Sequence, residues 1–398
     1  MAGAGAGVAY PSALTRIGLA LETTRGTLES APSYMVPVKA PKYTPDLTML
    51  DDETIQGSMV KVYDVVPGLQ MSKYSWDSFP YLDSFGLFLF ALWGGPDVVG
   101  TAPTATTLSS AATAGSFTIT TATALAAGDW ITLSGGVGNL YEAHEVISVA
   151  TDTATLRTPL ISSYASGTAV NGLTTHTTSV LNTGTGQPPS ASIWDYDGEE
   201  WRTVAAAQLD TLSLKGNATG LVTYDCSWMG NPASTNAAAP STSYTDAETP
   251  APWSFSFYIN NTLISTPTEW SLDLKRNVDA IPALTGTQEY FTYMANPLEI
   301  SAKITFIEQS SSPYLTDFLG DSRFSWGFQL FDLAHGNALK YHSSSSAYTT
   351  GEIDRGQEYV SIPLTIQPLP STLDANSGGG TSSGYMTLAN NVTTAYWS

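Results

Sequence analysis

The residues that could do chemistry are few in this chain, and their spacing argues against a reaction centre. Its four histidines, His144, His176, His335 and His342, form no metal-spaced pair. The nearest thing to a ligand cluster is Glu142-Ala-His144-Glu145. Its neighbours alternate as along an exposed strand edge, which predicts solvated polar residues rather than ligands. Cys226 is the sole cysteine, so an intrachain disulfide is excluded. It alternates with Val222, Tyr224 and Trp228, the pattern of a buried strand thiol rather than a reactive one. Asp195-Tyr-Asp197-Gly198-Glu199-Glu200 begins like a calcium loop but has no closing Glu at the required position, and reads as an acidic turn before a strand. A glycosidase needs opposed carboxylates across a cleft. Here Asp195, Asp197, Glu199 and Glu200, flanked by Trp194 and Trp201, come from one turn. No nucleophile elbow, phosphate-binding glycine loop or dinucleotide fingerprint is present. The expectation is a protein that is not an enzyme, with no catalytic, cofactor-binding or metal-binding residues.

The elements that would position any site are mostly strands. Period-two alternation runs from about residue 209 onward: Leu212/Leu214, then Val222/Tyr224/Cys226/Trp228 across a turn at Gly216-Asn217 and Gly220. Trp253/Phe255/Phe257/Ile259, Trp270/Leu272/Leu274, Ile300/Ala302/Ile304/Phe306, Phe324/Trp326/Phe328/Leu330 and Val360/Ile362/Leu364/Ile366 continue it. The intervening positions are largely Ser, Thr, Asp and Lys, which predicts antiparallel sheet with one apolar and one polar face. Two short helices are predicted. Pro80–Trp93 carries an apolar stripe of Leu82, Phe85, Leu89 and Leu92, with Gly94-Gly95 as a stop. Ser312–Gly320 has a serine cap, Pro313 at the first helical position and a terminal glycine. The fold class is therefore all-β with one or two short helices: an antiparallel β-sandwich plus a small inserted β-domain.

Composition changes at Thr101. Residues 101–175 are Thr/Ala/Ser-rich with turn signals of their own, and their four to six short strands fit a small β-barrel or sandwich. This reads as an insertion dividing a discontinuous domain, 1–100 and 176–370. Residues 41–67, with Leu47, Leu50, Asp51, Asp52, Glu53 and Gly57, show no clean periodicity and read as a long loop. Residues 371–398 contain Ser377-Gly-Gly-Gly-Thr-Ser-Ser-Gly384 and read as a flexible arm ending in a short docking segment.

Charged residues make up only 13 % of the chain, about half the usual share, and the 35 acids outnumber the 15 bases for a net charge of −20. Such a surface suits burial against copies of itself. The acid excess weighs against ordinary DNA binding, which needs clustered Lys and Arg. The start, Met1-Ala-Gly-Ala-Gly-Ala-Gly7, lacks the features of a signal peptide. No apolar run is long enough for a membrane helix. The expectation is a protein made in a cytoplasm, without a membrane partner.

The order of these pieces resembles the major tail tube protein family of long-tailed bacteriophages. The residues that carry the resemblance begin at Ile17-Gly-Leu-Ala-Leu-Glu22-Thr-Thr-Arg-Gly-Thr27, ahead of Pro37-Val38. The long loop with Leu50-Asp51 and Gly57 follows, then the helix ending Leu89-Phe-Ala-Leu-Trp-Gly94. Ala207–Leu214 leads into Gly220–Gly230, and Leu339–Pro370 is similar to a closing hairpin. The insertion departs from the minimal family pattern and resembles small β-modules attached to phage structural proteins. The resemblance implies a subunit that forms hexameric rings stacked into a tube, part of the virion and assembled in the host cytoplasm. It implies double-stranded DNA and a tape-measure protein in the lumen, with tail terminator and distal tail proteins at the ends.

On that reading the polar strand face, with Thr211, Ser213, Thr223, Asp225, Ser271 and Asp273, lines the lumen; the alternative is a face against solvent or a neighbouring subunit. Lys275, Arg276 and Lys303 on nearby strands make that face less than uniformly acidic. The loop with Leu47, Leu50, Asp51, Asp52 and Gly57 would contact the adjacent ring, and the insertion would project from the tube exterior. Alternatives are a distal tail, baseplate or decoration subunit, and a carbohydrate-binding adhesin using exposed aromatics.

Overall fold

Alternation in sequence becomes alternation in burial. In a computed structural model that describes residues 10–397 except 137–139, 236, 243, 245–247, 310–312, 357 and 376–378, strand Gly220–Gly230 buries Val222, Tyr224, Cys226 and Trp228 and turns the residues between them outward. It is flanked by Asp64–Ser78 on one side and Trp201–Asn217 on the other. Pro267–Lys275, Glu299–Ile307 and Ser361–Pro368 extend this antiparallel layer. A second layer contains Ser256–Ile259, Phe324–Phe331, Ala338–Gly351, Tyr385–Asn390, Thr174–Ser179 and Val98–Gly100. Strand Ala338–Gly351 belongs to both layers: its first half pairs with Phe324–Phe331 and its last residues with Ser361–Pro368. The first half of Trp201–Asn217 leaves its layer to pair with Ala191–Tyr196, which in turn pairs with Arg16–Leu21. The bend falls at a register shift near Ala206, whose φ of 55° is unusual for a residue with a Cβ. These strands form one continuous 17-stranded network around a shared core. The fold is all-β, as expected.

The layers meet through aromatic side chains. Phe328 lies 4.8 Å from Trp270 across the core, and Phe257 lies 5.8 Å from Phe306, measured between ring centroids. Burying each such ring contributes on the order of 1.5–3 kcal/mol. Helix α1 (Gly86–Trp93) is driven into this core, with Phe88 against Trp76, Tyr224 and Trp228. The expected one-sided apolar stripe is corrected: every α1 residue is buried, because a helix apolar on all sides has no face to offer water. It ends at Gly94 in the left-handed region, as the glycine predicts. Helix α2 (Tyr314–Leu319) sits where expected, while its proposed cap Ser312 lies outside the described residues.

Two further expectations need correction. For 371–398, expected as a flexible arm ending in a short docking segment, the described end is a strand of the sheet rather than a short tether. Strand Tyr385–Asn390 is buried between Thr174–Ser179 and Ala338–Gly351, and Tyr396 and Trp397 pack against the core. The glycine-rich stretch ahead of it suggested slack, but Tyr385, Met386, Leu388 and Ala389 fill a slot between two strands that are otherwise unpaired on those sides. Tyr396 explains Gly86: a Cβ there would lie 2.6 Å from the Tyr396 ring. Gly86→Ala is therefore expected to lower stability by about 1–3 kcal/mol in chemical denaturation. An unchanged midpoint would mean that the ring moves aside at no cost.

Residues 41–67 are not an irregular loop. Lys39–Asp52 and Asp64–Ser78 form one long hairpin. Beyond the sheet this ribbon is exposed on both sides, so no buried face imposed a period of two on its sequence.

Within the insertion, six strands form a separate sheet with its own apolar core of residues such as Ile131, Leu133, Val146 and Leu156. Its outermost strands, Thr106–Thr107 and Thr118–Thr120, run on into an antiparallel bridge between Leu108 and Thr121 that closes the sheet into a small barrel. The barrel packs on the outer side of the second layer, where Trp130, Ala143 and Leu173 meet Phe331, Ala338 and Ala389. This corrects the expectation for Glu142, His144 and Glu145, which are buried rather than solvated because their strand, Glu142–Ala150, runs through the junction.

Candidate assembly surfaces

Cross-strand register brings the six predicted face residues together. One row across five adjacent strands reads Asp77, Asp225, Ser213, Asp273, Ser301. The next reads Thr223, Lys215, Ser271, Lys303, Thr365. A third reads Ser75, Ser227, Thr211, Lys275, Glu299. All six point away from the core, and neighbouring side chains cover most of Ser213. The rows interact: Ser213 Oγ donates to Asp273, Lys215 Nζ lies 2.6 Å from Asp225 Oδ2, and the Thr211 and Ser227 hydroxyls are 2.7 Å apart. The half-exposed Lys215–Asp225 pair adds at most about 1 kcal/mol to stability, but it ties the lysine to a carboxylate of its own subunit. The Thr223–Lys215–Ser271–Lys303–Thr365 row, at one end of the three, borders a shallow groove of about 760 Å³.

Arg276 does not belong to this face. It is buried on the opposite side of its chain segment, donating to Leu92 O at 2.7 Å, Trp93 O at 3.0 Å and Asn296 O at 3.1 Å. It thus satisfies the C-terminal carbonyls of α1, which have no water to turn to. Burial lowers its pKa to about 10, still protonated at neutral pH. A basic residue one position past an alternating strand was the available signal for this inward turn.

The five arm residues lie on the projecting hairpin. Leu47, Leu50, Asp51 and Asp52 are on its first strand, and Gly57 is in the tip at φ 71°, where a Cβ would be strained. At about 3.3 Å per residue, the strand from Ser72 to Asp64 carries the ribbon roughly 26 Å past the sheet end at Gly230. Gln70 N donates to Gln288 O at 2.8 Å, so a neighbouring loop props its base. The sequence reading missed the arm's most exposed apolar residues. Ile55 is 98 % and Met59 103 % exposed, and Met49, Val60, Val65 and Val66 are also uncovered. Leu284 and Phe291 on the propping loop extend this apolar surface.

The acidic turn is a turn, with Asp197 Oδ1 accepting the amides of Glu199 and Glu200 at 3.0 Å each. Among the described residues no group of three or more His, Cys, Asp or Glu is placed to hold a metal ion, and no helix is long and apolar enough to cross a membrane. Cys226 is buried, and burial raises its thiol pKa well above the usual range.

Fold and surfaces together define an all-β protein whose distinctive features are a broad polar strand face and a projecting apolar ribbon. The sequence model of a family described as phage tail tube protein matches residues 12–368, and the chain belongs to that family. It is a structural protein of the phage tail; the family implies self-assembly into a tube and a place in the virion. No curated protein matches the chain.

Proposed function

We propose that this subunit polymerises as stacked hexameric rings into the tail tube through which genomic DNA is delivered. The observation that carries the reading is the arm: a two-sided ribbon whose apolar side chains are left largely uncovered by its own subunit beyond the propped base. A head-to-tail contact that repeats along one axis makes such a ribbon productive, burying it against the next ring. Negative-stain microscopy of the purified protein tests this. Long hollow tubes with six-fold rings are expected; single rings or monomers would overturn it.

The polar face is the lumen wall in this reading. Lys215 is paired with Asp225, and Lys275 lies in register with Glu299, so a passing phosphate meets carboxylates alongside the cations. The inserted barrel lies on the outer side of the other layer, which favours the tube exterior for it. Tape-measure protein and double-stranded DNA occupy the lumen, and terminator and distal tail proteins close the ends, after assembly in the host cytoplasm. Replacing Asp225 and Asp273 together with Lys is expected to leave tubes intact by microscopy while lowering infectivity at least tenfold through DNA retention. Loss of tube formation would instead assign this face to a contact between subunits.

A further inference from the structure

The junction between the barrel and the second layer holds a buried charge cluster that the tube reading does not use. Lys340 Nζ lies 2.7 Å from Glu145 Oε1, and Arg157 donates to the other oxygen of the same carboxylate. Glu145 and Arg157 belong to the barrel and Lys340 to the layer beneath it. Two cations thus share one anion, and all three side chains are largely buried. His342 sits two residues along from Lys340 on the same outward face, its ring 6.1 Å from Tyr258 and 5.4 Å from Tyr385. Its Nδ1 is sealed from solvent with no hydrogen-bond partner, and its Nε2 is 3.5 Å from Ser344 Oγ. The surroundings therefore accommodate a neutral imidazole and offer nothing to a second proton.

The geometry points to an acid-releasable latch: protonation of His342 weakens the seating of the inserted barrel on its own subunit. The charged groups around this histidine are Lys340 on its own strand and Arg157 and Glu145 from the barrel, with tyrosines Tyr258 and Tyr385 on either side. Asp374 accepts from Ser344 N and Oγ, and that pairing lies wholly within the body. Burial, then Lys340 and Arg157, push the His342 pKa down to about 4 from the usual 6.5. A group with a depressed basic pKa favours the seated form above the usual value and opposes it as pH falls through 6.5 toward 4. Glu145 acts in the same direction at lower pH, because the two cations hold its pKa below the ordinary range against the opposing effect of burial.

A thiol placed at Ala389, buried in the junction against Trp130, reports unseating, while Cys226 in the body core reports global unfolding. Labelling of the Ala389→Cys chain by 4,4′-dithiodipyridine is followed by peptide mass spectrometry, with each rate divided by that of a free thiol at the same pH. Between pH 7.5 and pH 4.5 the junction rate should rise, by about 70-fold at most if unseating restores the ordinary His342 pKa in full, with Cys226 still protected. His342→Asn in the same background should flatten that rise. A flat profile in the parent, an equally steep one in His342→Asn, or Cys226 reacting in step would each overturn the latch. Ala338→Cys supplies the same readout from the adjacent strand should Ala389→Cys pack poorly.

Discussion

Replacing residues 48–69 with Asn-Gly is expected to yield a subunit that folds normally and forms no tubes at any accessible concentration. Leu47 and Gln70 face each other in register, so a two-residue turn of this type can join them without moving the strands below. The removed ribbon contributes little to its own fold, since its apolar side chains are uncovered and its backbone pairs only with itself. Circular dichroism and thermal unfolding should therefore match the parent. In the assembly the same side chains are worth far more: burying even four of them contributes on the order of 6 kcal/mol per subunit contact, or more than a 10⁴-fold change in association. Sedimentation reads this directly. Tubes of normal yield from the shortened chain would remove the arm from the assembly mechanism.

The second large effect is on stability. Arg276→Ala should cost about 3–5 kcal/mol, enough to make a domain of ordinary stability fold marginally. The loss comes less from the missing cation than from what it leaves behind: the buried carbonyls of Leu92 and Trp93 each lose a donor, Trp93 O keeping only Leu181 N at 3.3 Å. Arg276→Lys should recover only part of this, because one ammonium cannot span three carbonyls as a guanidinium does. Denaturant titration with unchanged slope gives the difference. A loss under 1 kcal/mol would mean that solvent reaches the end of α1.

What could be read in advance follows burial. Strands with one face on the core wrote alternation into the sequence, which is why Val222 to Trp228 or Ile300 to Phe306 were legible with their facing. The six polar-face residues were legible for the same reason, as the complement of the buried set. The barrel was legible from composition and turn spacing, but its contact with the body was not. Glu142, His144 and Glu145 look like a wet edge until a second surface covers them, and that surface includes Lys340, nearly 200 residues away. The arm failed in the opposite way. A ribbon buried on neither side has no reason to alternate, so its strands read as a loop. Tyr385–Asn390 was legible as a docking segment but not as a strand, because its apolar residues do not name the two strands it pairs between.

The way the arm is rooted bears on how it carries load. Its second strand, Asp64–Ser78, does not stop at the sheet edge but runs on beside Gly220–Gly230, paired from Ser72 with Gly230 to Ser78 with Tyr224. A pull along the ribbon is therefore resisted in shear, with that whole ladder of backbone hydrogen bonds loaded at once rather than peeled open one by one. The strand beside it, Trp201–Asn217, bends at Ala206 to pair with Ala191–Tyr196, so tension entering at the tip spreads into further strands instead of concentrating at its base.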